Sequence, residues 1–221
     1  HLVSYSVPIR KRMSLAELKP HLFSLPDHPD WIPYRTSYYN EAWGFCVPHR
    51  VLEQMTDAEY EVCVDSTLSE GSLLLVGGNN RLSLSGAITT TGGVLDLGGN
   101  SQTTLGTVTF GGGLVQNGTL TASGTAFVGQ AGVVSAILAG TQGLVKEGPG
   151  ALSLSAANTY TGSTIVSEGS LLLSGGSNRL FTSGAITTTG GVLDLGWNSQ
   201  TTLAGITFAG GVVQSGTLTA S

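Results

Sequence analysis

Residues 167–221 are a second copy of residues 69–123, and this duplication constrains the fold more than any other property of the chain. At an offset of 98 residues both copies open on Ser-Glu-Gly-Ser-Leu-Leu-Leu and close on Gly-Thr-Leu-Thr-Ala-Ser. The block Gly-Ala-Ile-Thr-Thr-Thr-Gly-Gly-Val-Leu-Asp-Leu-Gly stands unchanged at residues 86–98 and 184–196. A fixed repeat points to stacked architecture rather than to one globular core. Short runs that alternate apolar and polar residues recur around Leu73, Val94, Leu114, Val133, Leu152, Leu171, Val192 and Val212, at intervals of 21, 20, 19, 19, 19, 21 and 20. One turn therefore takes about 20 residues, and about five turns make one duplication. Glycine-rich corners between short strands suit a single-stranded parallel β-helix of about eight rungs. A sandwich would also show short strands and turns, but it has no reason to keep this beat. Glycine-rich disorder is at odds with a hydrophobic content of 40% and a mean hydropathy of +0.21.

The first 68 residues are a different kind of chain. All four histidines, both cysteines and every proline except Pro149 lie there. Beyond residue 69 only Glu70, Arg81, Asp96, Lys146, Glu147, Glu168, Arg179 and Asp194 carry charge. This shift reads as two segments of different origin, 1–68 and 69–221. No charged leader with an apolar stretch opens the sequence, and no apolar run reaches the roughly 18 residues of a spanning helix. We therefore expect a soluble piece of something longer, with no transmembrane segment. Cys46 and Cys63 do not make a disulfide framework and read as buried thiols.

Residues 2–7 alternate and read as a strand. Ser14 and Glu17 form a capping box, and Leu15, Leu18 and Leu22 share one face of a short helix interrupted near Pro20. Residues 25–39 hold Pro26, Pro29 and Pro33 and read as an extended, aromatic connection. Pro48 can open a second short helix, and residues 60–64 read as a strand. The whole predicts a mainly β fold, a β-helix with a small α+β N-terminal segment acting as its cap.

Ser-Tyr-Ser-Val-Pro-Ile-Arg-Lys-Arg-Met-Ser-Leu-Ala-Glu-Leu (4–18), Asp-Trp-Ile-Pro-Tyr-Arg-Thr-Ser-Tyr-Tyr (30–39), Trp-Gly-Phe-Cys (43–46) and Tyr-Glu-Val-Cys-Val-Asp-Ser-Thr-Leu (60–68) resemble the small inserted β domain of bacterial zinc-aminopeptidase-like proteins. The resemblance implies a partial enzyme, because the family's zinc ligands follow this stretch in a His- and Asp-containing motif. Here Gly-Ser-Leu-Leu-Leu-Val-Gly-Gly stands in that place, so no ligand position carries over. Residues 146–171, including Asn158-Thr-Tyr-Thr-Gly162, resemble the passenger-associated repeat of bacterial autotransporters, and the likeness extends more loosely over 69–221. That resemblance implies a secreted or surface-displayed β-helix whose repeats aid folding and export. The duplication's identity begins at Ser69, and the first resemblance implies a similar acidic-Gly-Ser-Leu stretch after Asp-Ser-Thr-Leu. We expect a chimeric fusion at this shared sequence, the alternative being an assembly artefact. Sequencing the transcript across codons 60–80 separates the two.

Catalytic options are few. Asp96 and Asp194 lie five rungs apart, about 24 Å at about 4.8 Å per rung, against the roughly 5 to 9.5 Å that paired glycosidase carboxylates need. Both are expected at a solvent face or corner. No His or Cys follows residue 68, which removes the usual base, nucleophile and soft metal ligands. Gly77-Gly-Asn-Asn-Arg81 lacks the Gly-Lys-Ser/Thr and the helix of a phosphate loop. His21, His28 and Asp30 could hold a metal but read as loop residues; Arg10-Lys11-Arg12 is too short a basic run for nucleic acid. Tyr34, Tyr38, Tyr39 and Trp43 read as core aromatics. The expectation is therefore no catalytic, cofactor or metal site, no nucleic acid, and an unknown partner, with a surface ligand or edge-to-edge self-association as the open options.

Three functions remain: a structural passenger segment, a remnant of a zinc aminopeptidase-like hydrolase, or an adhesive module in which Trp197, standing where the first copy has Gly99, makes contact. The repeat half implies a secreted or cell-surface location and the enzyme-like half a cytoplasmic one.

Overall fold

The computed structural model describes residues 65–221. Expectations that fall on residues 1–64, including the two helices, the cap, the histidines and the cysteines, lie outside the described residues. Within 65–221 every regular element is a strand, and all paired strands run parallel. The chain winds into a β-solenoid of eight turns, as the repeat requires.

One column of register partners shows the winding. Strand β1 (Ser66–Leu68) pairs with β3 (Ile88–Asp96), which pairs with β5 (Val108–Gln116) and then β7 (Phe127–Val134). β9 (Leu144–Lys146) and β11 (Thr164–Val166) continue the stack to β13 (Ile186–Thr202) and β14 (Ile206–Ala220). Ser66, Ile88, Val108, Phe127, Leu144, Thr164, Ile186 and Ile206 thus lie one over another. Five steps carry Ile88 to its duplicate Ile186. A second column joins β2 (Ser72–Leu74) to β3, and runs through β5 and β7 to β10 (Ala151–Leu154), β12 (Ser170–Leu173) and β13. The third face is a separate sheet of β4 (Ser101–Thr104), β6 (Thr119–Ala122) and β8 (Ile137–Gly140).

The eight sequence markers locate the turns but not every register. Leu73 stacks on Leu95, not Val94; Val133 stacks on Ser153, not Leu152; Leu171 stacks on Leu193, not Val192. A slip of one residue moves a side chain to the opposite face of a strand. Leu73, Leu152 and Leu171 point inward and are buried, whereas Val133 and Val212 are exposed. Inward positions form a continuous apolar stack: Leu95, Val115, Val134, Leu154 and Leu173 are each no more than 2% exposed. Phe110 and Phe127 stack with ring centres 6.0 Å apart, and Tyr160 tilts against Phe127 at the same distance.

Corners are made by glycine where the backbone turns positive. Gly113 has φ +74°, and a Cβ there would lie 2.5 Å from the Gly92 carbonyl oxygen of the turn below. Only glycine accepts both the left-handed angle and the close approach.

Candidate structural centre

The third face does not carry a strand at every turn. It lapses around residues 79–84, 156–161 and 178–182. Backbone groups there would lose their ladder partners, and buried unpaired amides are costly. Side-chain amides take over. Gln102, 1% exposed, accepts a hydrogen bond from Leu82 N at 2.8 Å and donates to Leu82 O at 3.1 Å. Gln200, its duplicate, does the same with Leu180 at 3.0 Å in both directions. In each case the glutamine imitates one peptide group of the missing strand.

Asn158 bridges the gap between the copies. Its Oδ1 accepts from Leu138 N at 2.8 Å on one neighbouring turn, and its Nδ2 donates to Arg179 O at 2.9 Å on the other. A third bond runs from Nδ2 to Ala156 O at 3.2 Å. The side chain is 4% exposed and ties three consecutive turns together. Two residues on, Tyr160 is buried, and its hydroxyl lies 2.7 Å from Thr164 Oγ1. Burial raises the Tyr160 hydroxyl pKa far above the usual tyrosine range.

Lys146 is the third member. Its side chain is fully buried, and its ammonium donates to the carbonyls of Glu147 at 2.9 Å, Gly148 at 2.8 Å and Glu168 at 3.0 Å. All three ammonium protons are thereby used. Burial lowers its pKa from the usual lysine range, while the charges of Glu168 and Glu147 pull it back up. Gly148 and Glu168 lie on successive turns, so this contact, like those of Asn158, pins turn to turn. Lys146, Asn158, Tyr160 and Thr164 stand out in the sequence only as parts of a motif, and nothing in their spacing signals that they point inward.

Asp96 and Asp194 face outward and are half-buried at the same corner of each copy. Asp96 accepts from Gly98 N at 2.8 Å, Gln116 Nε2 at 2.8 Å and Asn117 Nδ2 at 2.9 Å. Asp194 accepts from Gly196 N at 2.9 Å and Gln214 Nε2 at 2.8 Å. The Gly98 amide chiefly, and for Asp194 the Gln214 amide chiefly, hold each carboxyl below the ordinary aspartate value. They lie in separate turns and act as corner clasps.

Gly77-Gly-Asn-Asn-Arg81 opens no helix; the Arg81 guanidinium donates back to Gly77 O. Trp197 is 88% exposed at φ +64°, where Gly99 has φ +78°. Among the described residues there is no group of three or more His, Cys, Asp or Glu side chains that could hold a metal, and no helix long and apolar enough to cross a membrane.

Residues 144–173 match the family model described as the passenger-associated-transport-repeat, and Lys146, Asn158, Tyr160 and Thr164 all fall inside that span. Residues 1–67 match a family described as a domain of unknown function, DUF2172. A Clostridium acetobutylicum protein, named for polysaccharide biosynthesis and for an aminopeptidase-like domain, is 51% identical over 73 residues. That alignment covers 33% of this chain and 17% of the relative's length. The chain is thus similar to two unrelated groups over separate stretches. No solved structure matches it.

Proposed function

We propose that this chain works as a structural, non-catalytic β-helical passenger segment, residues 69–221, joined to an incomplete aminopeptidase-like segment, residues 1–68. The observation that carries the reading is the turn-to-turn locking by Lys146 and Asn158 inside residues 144–173, the stretch similar to a transport-associated passenger repeat. A column whose turns pin one another as they form can order itself turn by turn, because each contact is to a neighbouring turn only. Such a segment gains stability as it emerges, and that suits a secreted or cell-surface role.

The test is display. The full chain is placed between a secretion signal and a translocating β-barrel, and protease-resistant material on intact cells is measured. Substitution of Asn158→Ala together with Lys146→Met should lower the surface yield several-fold relative to the parent. Equal yields would reject the passenger reading.

The similarity of residues 1–67 to aminopeptidase-like sequences supports a second reading, a remnant of a zinc hydrolase. Zinc-dependent release of amino acids from peptides by the purified chain would establish it. The adhesive alternative rests on Trp197. Loss of adhesion in Trp197→Ala, with folding intact, is its test.

A further inference from the structure

Trp197 strains the corner it stands on and packs against almost nothing. Its backbone sits at φ +64°, a left-handed angle that is an outlier for a bulky L-residue, and the residue is 88% exposed. The first copy shows the same corner at a turn enclosed within the rod. Gly99 stands there at φ +78°, and a Cβ built on it meets nothing within 4 Å. The openness therefore belongs to the corner, which points away from the stack. Neighbours across the ladder are small as well. Register sets Ser215 beside Trp197 on the following turn, and on the preceding turn the corner is made by Gly175 and Gly176, which leaves the indole unwalled on either side.

The strand leads from this ring along a row of hydroxyls. In β13 the side chains of Gln200 and Thr202 point inward, 1% and 0% exposed, so Trp197, Ser199, Thr201 and then Leu203 form the outward line. No charged residue lies between Asp194 and Ser221. The two charged side chains that precede the corner are tied to the protein itself. Asp194 accepts from Gly196 N and Gln214 Nε2, and Arg179 donates from Nε and Nη2 to Ser177 O and from Nη1 to Ser155 O.

We infer that Trp197, with the hydroxyls of Ser199 and Thr201, is a subsite for a neutral pyranose glycan; the inference rests on the adhesive reading and gives it a ligand class. The apolar C–H face of a pyranose ring lies flat on the negative face of an indole, and its rim hydroxyls find partners in a row of protein hydroxyls. Other ligands that use exposed aromatic rings need what this surface lacks. Single-stranded nucleic acid stacks on such rings only beside a basic track, and residues 195–221 hold no basic side chain. A lipid surface needs a continuous apolar face, but Trp197 and Leu203 stand at most about 20 Å apart along the strand with Ser199 and Thr201 between them.

The experiment is titration calorimetry of the full chain with neutral hexasaccharides of glucose, mannose and N-acetylglucosamine. At least one should bind at one site per chain, Trp197→Gly should weaken it about tenfold or more, and Trp197→Tyr should retain it. Trp197→Gly restores the residue of the other copy, so its unfolding midpoint should be no lower than the parent's. The reverse exchange is the stricter arm. Gly99→Trp sets a ring at the head of the same outward row, Ser101 and Thr103, and should raise the count to two sites per chain. No binding of any of the three sugars overturns the inference; adhesion that still falls in Trp197→Ala would then leave the adhesive reading standing with a ligand of another class. Sugar binding that Trp197→Gly leaves unchanged overturns it too, as does binding of uncharged phosphatidylcholine vesicles in place of sugar.

Discussion

Asn158 puts one polar side chain where a strand would otherwise be needed, and removing its amide strands the Leu138 N–H and takes from Arg179 O one of its two hydrogen bonds, the other coming from Asn158 N. Asn158→Ala should cost about 1 to 3 kcal/mol, read as a lower urea midpoint with an unchanged slope. Trp197 acts in the opposite direction. An L-residue at φ +64° carries left-handed strain that glycine does not, and its ring is almost wholly in water. Trp197→Gly should leave the fold unchanged and raise stability by about 0.5 to 1 kcal/mol, seen as a higher melting temperature. The corner aspartates give a pH signature. Their folded pKa lies below 3.8, so the unfolded chain takes up protons first as pH falls. Their contribution is present above that value and is lost as pH drops through it toward the folded pKa. Acid titration of the unfolding midpoint should steepen below about pH 4, and the pair Asp96→Asn with Asp194→Asn should flatten it. The outward place of these aspartates was legible because Leu-Asp-Leu alternates. The buried Gln102 and Gln200 were not: Ser-Gln-Thr-Thr is a wholly polar run, and the inward place of its glutamine shows only when the turns stack and set Gln102 in register with buried Leu120.

At the level of the strand, glycine placement and alternation carried most of the information. The beat of about 20 residues follows from corner glycines, and the solenoid shows it. Register was less legible, because a marker chosen for being apolar does not say which face it occupies. Val133 and Leu152 look alike in sequence, yet one is 44% exposed and the other fully buried. The two copies keep one internal register, Leu73 on Leu95 and Leu171 on Leu193, but the turns between them do not carry it through. Ile88 and Ile186 are five steps apart in the first column, but in the second Leu95 stacks through Val115, Val134 and Leu154 on Leu173, while its duplicate Leu193 stacks on Leu171. The displacement is two residues, an even number, so every side chain keeps its face. Gly113→Ala tests the corners. With φ +74° and backbone 2.5 Å from the added carbon, it should destabilise by at least about 2 kcal/mol in urea unfolding, whereas Gly99→Ala, with open space around it, should cost less.

For the whole molecule, stability is a matter of ends as well as turns, since a solenoid exposes pairing edges at both. The first described turn is entered through Ser66–Leu68, residues that the enzyme-like motif supplies; they already pair with Ile88–Thr90, and Asp65 Oδ1 accepts from Ala87 N at 2.8 Å. An apolar cleft lined by Leu68, Leu73, Leu82, Ile88 and Leu95 opens at that turn. If residues 1–64 cover it, deleting them while keeping Asp65 onward should give concentration-dependent aggregation by light scattering. A deletion variant that stays monomeric would remove the cap from the account. The resemblances in sequence identified both halves of the chain, but the inward role of Lys146 and Asn158 needed the stacked turns to be seen.

One duplicated unit spans a whole number of windings in its first column, from Ile88 to Ile186. Replication slippage that gained or lost one such unit in frame would leave both joints seamless there and change the rod by about 24 Å. Variants of this protein should therefore differ in reach by fixed increments, with no change in thickness and no new joint for the chain to learn.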